Sequence, residues 1–259
     1  MSRSIFIGDV HGCLDEFVAL VEKLELRRED RVFCTGDFMD RGPKPAECVQ
    51  FARTRGFAAV LGNHEEKHLR WRRHEQRRAK DPAYKNPMRP LPPERLAQND
   101  ALTAEDMAWL EALPVTLEAL PGWLLVHGGL FPRLSLEAQL KNRETRERLM
   151  RIRWVDKDGE FVPLEDDTAA DGPEGSKPWM EVYDGKFNVI YGHAVHSLSS
   201  PRVDVQTHNS FETKTFGIDT GCCFGGALTA LVVEEQRCIE VVQVKARKVY
   251  AEPRMPIKP

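Results

Sequence analysis

Five short segments that couple aspartate, asparagine or histidine with glycine run down the chain in a fixed order. They are Gly8-Asp9-Val10-His11-Gly12, Gly36-Asp37-Phe38-Met39-Asp40-Arg41-Gly42, Gly62-Asn63-His64-Glu65, His127-Gly128-Gly129 and Gly192-His193. Carboxylate, amide oxygen and imidazole, offered without thiolate, suit a Mn, Fe, Ni or Zn ion better than an iron–sulfur cluster. The flanking glycines suit backbone that must turn tightly or approach a ligand closely. Each segment alone has an ordinary explanation: Asp9 as an acidic turn residue, His11 as a turn histidine, Arg41 as a surface cation, His127 as a core histidine tied to backbone. The ordered set does not, because six ligand-type residues would have to meet at successive strand ends by chance.

Two divalent ions about 3.5–4 Å apart that promote in-line attack on phosphorus need a bridging carboxylate, terminal ligands and open positions. Asp37 is the natural bridge. Asp9 and His11 can reach the first ion, and Asn63, His127 and His193 the second. Water held there would be acid enough to attack as hydroxide near neutral pH. No side-chain nucleophile is needed, and none stands out. His64, beside Asn63, is placed to protonate the leaving oxygen, with Asp40 as its orienting carboxylate. Arg41 can hold phosphate oxygens bidentately. Arg153 is a second clamp candidate, with a structural role near a hairpin as its alternative. His196 and His208 fall outside every motif and read as structural.

The elements that must position these residues alternate strand and helix through the first third of the chain. Strands are expected at 5–8, 32–35 and 57–61, and helices at 14–24, 45–53 and from Glu65, which implies parallel pairing with helices on the faces. Each motif then follows a strand at its carboxyl end, where open α/β sheets bind ligands. Five prolines between Pro82 and Pro93 mark a surface loop. Thr103 and Asp106 form a plausible capping box for a helix through Leu113, and 123–126 is a strand delivering His127. A charged helix is expected over 136–150, and a hairpin at 152–155 and 160–162. An acidic loop at 165–175 and strands at 189–191, 216–218, 227–233 and 239–244 follow. One domain with two sheets over 1–245, then an extended proline-spaced tail over 246–259, is the simplest account.

The 259 residues suffice for a sizeable core, and a net charge of −3 points to no partner. The six cysteines form no Cys-x-x-Cys pair, no secretory signal precedes the first strand, and no apolar run approaches membrane-spanning length. A soluble, cytoplasmic protein is expected.

The motifs closely resemble those of the calcineurin-like metallophosphoesterases, in the branch joining serine/threonine phosphoprotein phosphatases with symmetrical diadenosine tetraphosphate hydrolases. The resemblance covers about residues 4–244. It implies an α/β fold, a two-sheet β-sandwich flanked by helices. It also implies two divalent metal ions, with manganese the leading expectation, held by Asp9, His11, Asp37, Asn63, His127 and His193. His64 is implied as proton donor and Arg41 as phosphate ligand. Asp40 and the Gly62–Glu65 and Val126–Gly129 segments are similar to the phosphatases, whereas the hydrolases tend to carry alanine at the position of Asp40. Arg151-Ile152-Arg153-Trp154, Lys177-Pro178-Trp179 and Asp219-Thr220-Gly221-Cys222-Cys223-Phe224-Gly225-Gly226 are similar to the hydrolases. The last of these is also similar to the phosphatase module of bacterial polynucleotide end-repair enzymes. Ala194 departs from the threonine often found after the last ligand histidine, which would alter a hydrogen bond near the metals.

The substrate stays open. Seven Lys/Arg against two Glu over 66–80 make a basic helix that could attract nucleotide or nucleic-acid phosphates. The alternative is a solvated helix meeting the acidic loop. Trp71 could stack on a base or pack in the core. The leading expectation is hydrolysis of a nucleotide-like phosphate ester or anhydride, such as diadenosine tetraphosphate or a polynucleotide phosphate. A phosphoprotein phosphatase is the alternative. A non-catalytic nucleic-acid-binding module would leave the metal motifs unexplained, and a metal-dependent scaffold would not need Arg41 or His64.

Overall fold

The computed structural model describes residues 2–163, 172–207, 211–253 and 257. Most of the expected acidic loop, His208, Pro256 and Pro259 lie outside the described residues. In chain order the elements are β1 (Ser4–Ile7), α1 (Leu14–Lys23), β2 (Arg31–Cys34), α2 (Pro45–Thr54), β3 (Ala58–Ala59), α3 (Asn63–Lys80), α4 (Pro93–Asp100) and α5 (Ala104–Ala112). There follow β4 (Thr116–Leu120), β5 (Trp123–Val126), α6 (Leu136–Lys141), α7 (Arg143–Arg148), β6 (Trp154–Val155), β7 (Phe161–Val162) and β8 (Lys177–Pro178). The chain closes with β9 (Asn188–Tyr191), β10 (Arg202–Thr207), β11 (Glu212–Gly217), β12 (Ala227–Glu234) and β13 (Arg237–Lys245).

Two five-stranded sheets form the frame, ordered β13-β12-β1-β2-β3 and β10-β11-β9-β5-β4, beside a small sheet β7-β6-β8. In the first, β1, β2 and β3 are parallel and β12 joins β1 antiparallel. In the second, β5, β9 and β11 are parallel. The period-2 alternation of side chains assigns three cores. Phe6, Phe33, Trp123, Leu125, Ile190 and Phe216 point between the sheets, where Phe6 stacks on Phe33 and Trp123 on Phe216. Their neighbours Ile5, Ile7, Val32 and Cys34 point outward, into one cluster with Phe17 and Leu20 of α1 and Val49 of α2. Leu124, Val126, Val189 and Tyr191 line a third cluster with Leu149, Trp179 and Tyr183. At roughly 1.5–3 kcal/mol for each large apolar side chain buried, this three-part packing holds the strand ends, and hence the site, in register. The expected helix-flanked two-sheet sandwich is the fold observed.

Several expected elements are altered. The charged helix over 136–150 is two short helices, because Asn142 takes an extended backbone (φ −82°, ψ 123°) and its side chain accepts from Thr145 N at the start of α7. An asparagine that can satisfy a helix start competes with helix continuation. α3 starts at Asn63 instead of Glu65, which puts the third motif in the helix's first turn. Pro93 opens α4 within the stretch read as loop, since proline at N1 lacks only an amide that would be unpaired there. β4 and β10 also lay outside the expected elements. The Thr103–Asp106 capping box is present. Residues 246–251 run against the domain: Ala246 N donates to Gly226 O, Tyr250 N to Cys223 O, and the Tyr250 hydroxyl to Glu16.

Candidate metal centre and active site

The first two motif loops are stitched together by backbone: His11 N donates to Asp37 O at 2.8 Å and Gly12 N to Phe38 O at 2.9 Å. Gly192 N donates to His127 O at 2.9 Å, pairing the last two motifs likewise. His11, Asp37, Asp40, Arg41 and His193 all have φ between 45° and 68°. Side chains other than glycine seldom adopt that conformation, and such strain concentrates at functional sites. Glycine is required beside it. A Cβ on Gly192 would collide with Asp9 Oδ1, and one on Gly62 with Asp37 Oδ1.

The residues expected to bind metal come together. Asp37 Oδ2 lies 3.4 Å from His11 Nε2 and 3.3 Å from His127 Nε2. Asn63 Oδ1 lies 3.0 Å from His127 Nε2. Donor atoms of His11, Asp37 and His64 lie within 4.8 Å of one another, as do those of Asp37, His127 and His193. Asp37 is thus common to two clusters, the placement a bridging carboxylate needs. Asp9 stands behind them, with Oδ1 accepting from Thr35 Oγ1 at 2.7 Å and Oδ2 from His193 N at 2.8 Å.

The donor set fits a pair of cations. His127 Nδ1 sits 2.8 Å from Thr35 O and His11 Nδ1 sits 2.8 Å from Met39 O, so each Nδ1 carries the hydrogen. That is the anchoring that metal-ligating imidazoles use. Both Nε2 atoms then face acceptor oxygens, a contact that a positive ion, either a proton or a metal, would stabilise. Burial disfavours a protonated His127, yet Asp37 and Asp9 outweigh it and push the imidazolium up to about 9. Burial, with Arg41 beside it, drives His11 well below the usual imidazole range, and burial with Arg153 does the same to His193. Asp9 is raised well above the carboxylate range by burial and by Asp219, while Asp37 is held well below it against burial by His127, His64 and His11.

Beside this cluster His64 Nδ1 contacts Asp40 Oδ2 at 2.5 Å, leaving Nε2 3.9 Å from Asp37 Oδ2 and 3.5 Å from Arg41 Nη2. The guanidinium of Arg41 lies 4.8 Å over the Phe224 ring, which aims it at the same opening. Arg153 Nη2 donates to His193 O at 2.9 Å, and its buried Nε has no hydrogen-bond partner among the described residues. Asn63, Arg41, Arg153 and His193 are only partly buried, so the cluster is open on their side.

Two residues quoted within motifs were given no role by the sequence reading. Glu65 is fully buried, and its two oxygens accept from Asp37 N and Met39 N at 2.8 and 2.9 Å, clamping the loop that carries Asp37. Burial and repulsion from Asp37 raise its carboxyl to about 7. Asp219 is buried with Oδ2 unpartnered among the described residues, a second anionic group for any cation here. It follows β11 at the same distance as Asp9 follows β1, and that parallel was the available signal. His196 meets Tyr191 OH at 3.3 Å, in line with its structural reading.

The basic helix α3 spends part of its charge internally. Arg78 pairs with Glu75 at 2.5 Å, Arg70 lies 3.6 Å from Glu66, and Arg77 covers the Tyr84 ring at 4.2 Å. Trp71 and Arg72 line a half-open cleft with Leu96 and Asn99 of α4. Among the described residues no helix is long and apolar enough to cross a membrane.

A family profile described as calcineurin-like phosphoesterase matches residues 2–225. A symmetrical bis(5'-nucleosyl)-tetraphosphatase of Yersinia pseudotuberculosis serotype O:3 (strain YPIII) is 27% identical over 89% of each chain, and one of Yersinia pestis (strain Pestoides F) shows the same figures. Among solved structures, a candidate diadenosine tetraphosphatase has a TM-score of 0.67 at 21% identity, covering 94% of this chain and 93% of its own. A metallophosphoesterase from Sphaerobacter thermophilus has 0.54 at 18%, covering 94% and 87%. At such identities these structures speak for the fold alone. The profile spans most of the chain and all five metal-ligand motifs, and the chain belongs to the calcineurin-like phosphoesterase family.

Proposed function

We propose that the chain is a two-metal phosphohydrolase acting on nucleotide-like phosphates, with diadenosine tetraphosphate or a polynucleotide phosphate as substrate class. The carrying observation is the position of Asp37, whose Oδ2 lies within 3.4 Å of imidazole nitrogens from two different motif loops. Asp9, His11 and Asp37 would hold one divalent ion, and Asp37, Asn63, His127 and His193 the other. Manganese is the first choice for a hard and borderline donor set lacking thiolate. Bound there, the ions would polarise the phosphoryl oxygens and make water a competent nucleophile. Arg41 and Arg153 would bind the phosphate oxygens that face the opening. His64, with Nδ1 tied to Asp40, would deliver a proton from Nε2 to the leaving oxygen.

The nucleotide reading draws support from the tetraphosphatase relatives and from Arg72 of α3, which forms no ion pair among the described residues. The cytoplasm, where buried thiols such as Cys13 and Cys222 stay reduced, is the compartment that goes with it. The Asp40–His64 contact favours a second reading, phosphoprotein hydrolysis, because an alkoxide leaving group needs a proton more than a phosphoanhydride does. One panel decides between them. Diadenosine tetraphosphate, a 3'-phosphorylated oligonucleotide, a 2',3'-cyclic phosphate and a phosphoserine peptide are offered to Mn²⁺-loaded protein, and kcat/KM is compared. The nucleotide reading expects a nucleotide substrate to lead. A phosphopeptide that outcompetes all of them would overturn it.

A further inference from the structure

The proline-spaced segment between α3 and α5 has a use that its composition did not suggest. Pro92 and Pro93 open α4, and two of its residues one helical turn apart, Arg95 and Asn99, meet two residues one turn apart on α3, His64 and His68, around a single carboxylate. That carboxylate is Asp40, 1% exposed. Its Oδ2 faces His64 Nδ1, and its Oδ1 accepts from His68 Nε2 at 3.0 Å and lies 3.0 Å from Arg95 Nε. Asn99 Nδ2 stands 3.3 Å from His68 Nδ1. With an amide donor on Nδ1, the His68 hydrogen sits on Nε2, pointing at Asp40. Every group in the chain therefore has one consistent hydrogen-bonding role.

We infer that Arg95 and His68 are positioning residues for the proton donor: they occupy Asp40 Oδ1 and so hold Oδ2 on His64. The inference rests on the reading of His64 as the group that protonates the leaving oxygen. A buried carboxylate costs several kcal/mol unless its lone pairs are met by charged or polar donors. Here two imidazoles and one guanidinium meet it. Without Arg95 and His68 the carboxylate could rotate about its Cβ–Cγ bond and leave the His64 ring without a fixed orientation. α4 thereby becomes part of the catalytic apparatus although neither Arg95 nor Asn99 belongs to any metal-ligand motif.

Arg95 is partly exposed, so Arg95→Met should fold. In Mn²⁺-loaded full-length protein it should lower kcat on phenyl phosphate by about 10-fold, the scale on which partners of an oriented ligand act. KM should be unchanged, and 2,4-dinitrophenyl phosphate, whose leaving group needs no proton, should be hardly affected. Arg95→Lys should restore most of the loss. In a His64→Ala background, Arg95→Met should cost nothing further, because the group it positions is gone. In metal-free protein, the downfield Nδ1–H proton resonance that disappears in His64→Ala should move upfield in Arg95→Met and in His68→Gln. Equal loss on both aryl phosphates, additive loss with His64→Ala, or an unmoved resonance would overturn the inference. If His64→Ala itself fails to discriminate between the two leaving groups, the reading of His64 falls, and that failure is visible apart from the behaviour of Arg95.

Discussion

Asp40 and His64 face one another at 2.5 Å, Oδ2 against Nδ1, across the gap between the loop after β2 and the first turn of α3. The contact fixes which nitrogen of His64 is available to the substrate. Burial alone would raise the Asp40 carboxyl, but hydrogen bonds from His64 and His68 hold it well below the usual carboxylate range. Asp40→Asn keeps the shape and removes the charge. Its kcat on an alkyl phosphate should fall by roughly 10²-fold, the lower bound for losing general-acid catalysis, with bound metal unchanged. A loss of metal in Asp40→Asn would show that the pair serves the metal centre instead.

The bridging position makes a prediction about stoichiometry. Asp37 contributes to both clusters, whereas Asn63 Oδ1 lies 3.0 Å from His127 Nε2, on the second. Elemental analysis after equilibration with Mn²⁺ should find about two ions in the parent protein, a large loss at both positions in Asp37→Asn, and loss of mainly one in Asn63→Ala. Full occupancy in Asp37→Asn would remove the bridge.

Within α3, Arg72 forms no ion pair among the described residues and Arg73 reaches Glu66 only at 4.0 Å, whereas Arg78 is paired with Glu75 and Arg77 lies on Tyr84. The double substitution Arg72→Ala with Arg73→Ala should raise KM for a dinucleoside polyphosphate a few-fold at low salt, and the difference should shrink as ~0.5 M salt screens surface charge. KM for a small aryl phosphate should not move. A matching rise for the aryl phosphate would make the helix's role structural.

A stability prediction concerns Asp106, buried at the start of α5. It accepts from Arg53 Nε at 2.7 Å, Thr103 N at 2.9 Å and Gln50 Nε2 at 3.2 Å. Burial opposes its charge, but the Thr103 amide and Arg53 hold its carboxyl below the usual value. A lowered folded-state pKa stabilises the fold above the unfolded value of about 3.9 and ceases to do so as pH falls through the folded value. Asp106→Ala should therefore cost about 1–3 kcal/mol at pH 7, and distinctly less near pH 3. Urea unfolding at both pH values measures the difference. A cost independent of pH would assign the loss to packing.

The convergence of the candidate ligands was legible in the sequence because they follow strands that short apolar runs already announce. Phe6 and Phe33 point into the sandwich while Ile5, Ile7, Val32 and Cys34 point outward, and that pattern is local. The role of Asp219 was missed although it too follows a strand, because β11 is largely polar and no histidine accompanies it. Glu65 was seen as a motif member, but its hold on Asp37 N and Met39 N depends on α3 starting two residues earlier than the pattern of charges suggested. The break at Asn142 reflects a side chain choosing a cap over a helix interior. β10 escaped notice because alternate positions are only half buried, which leaves little apolar contrast. Of the donors around Asp40, His64 was read from the sequence and His68 and Arg95 were not, since they join Asp40 from two separate segments.

The most direct test is nucleotide hydrolysis by chelator-stripped protein titrated with Mn²⁺ against diadenosine tetraphosphate and a 3'-phosphorylated oligonucleotide. The account predicts no turnover without metal, recovery that saturates near two equivalents, and none in Asp37→Asn at any Mn²⁺ concentration. Undiminished turnover by the stripped protein, or none on either nucleotide with both metal positions filled, would contradict it.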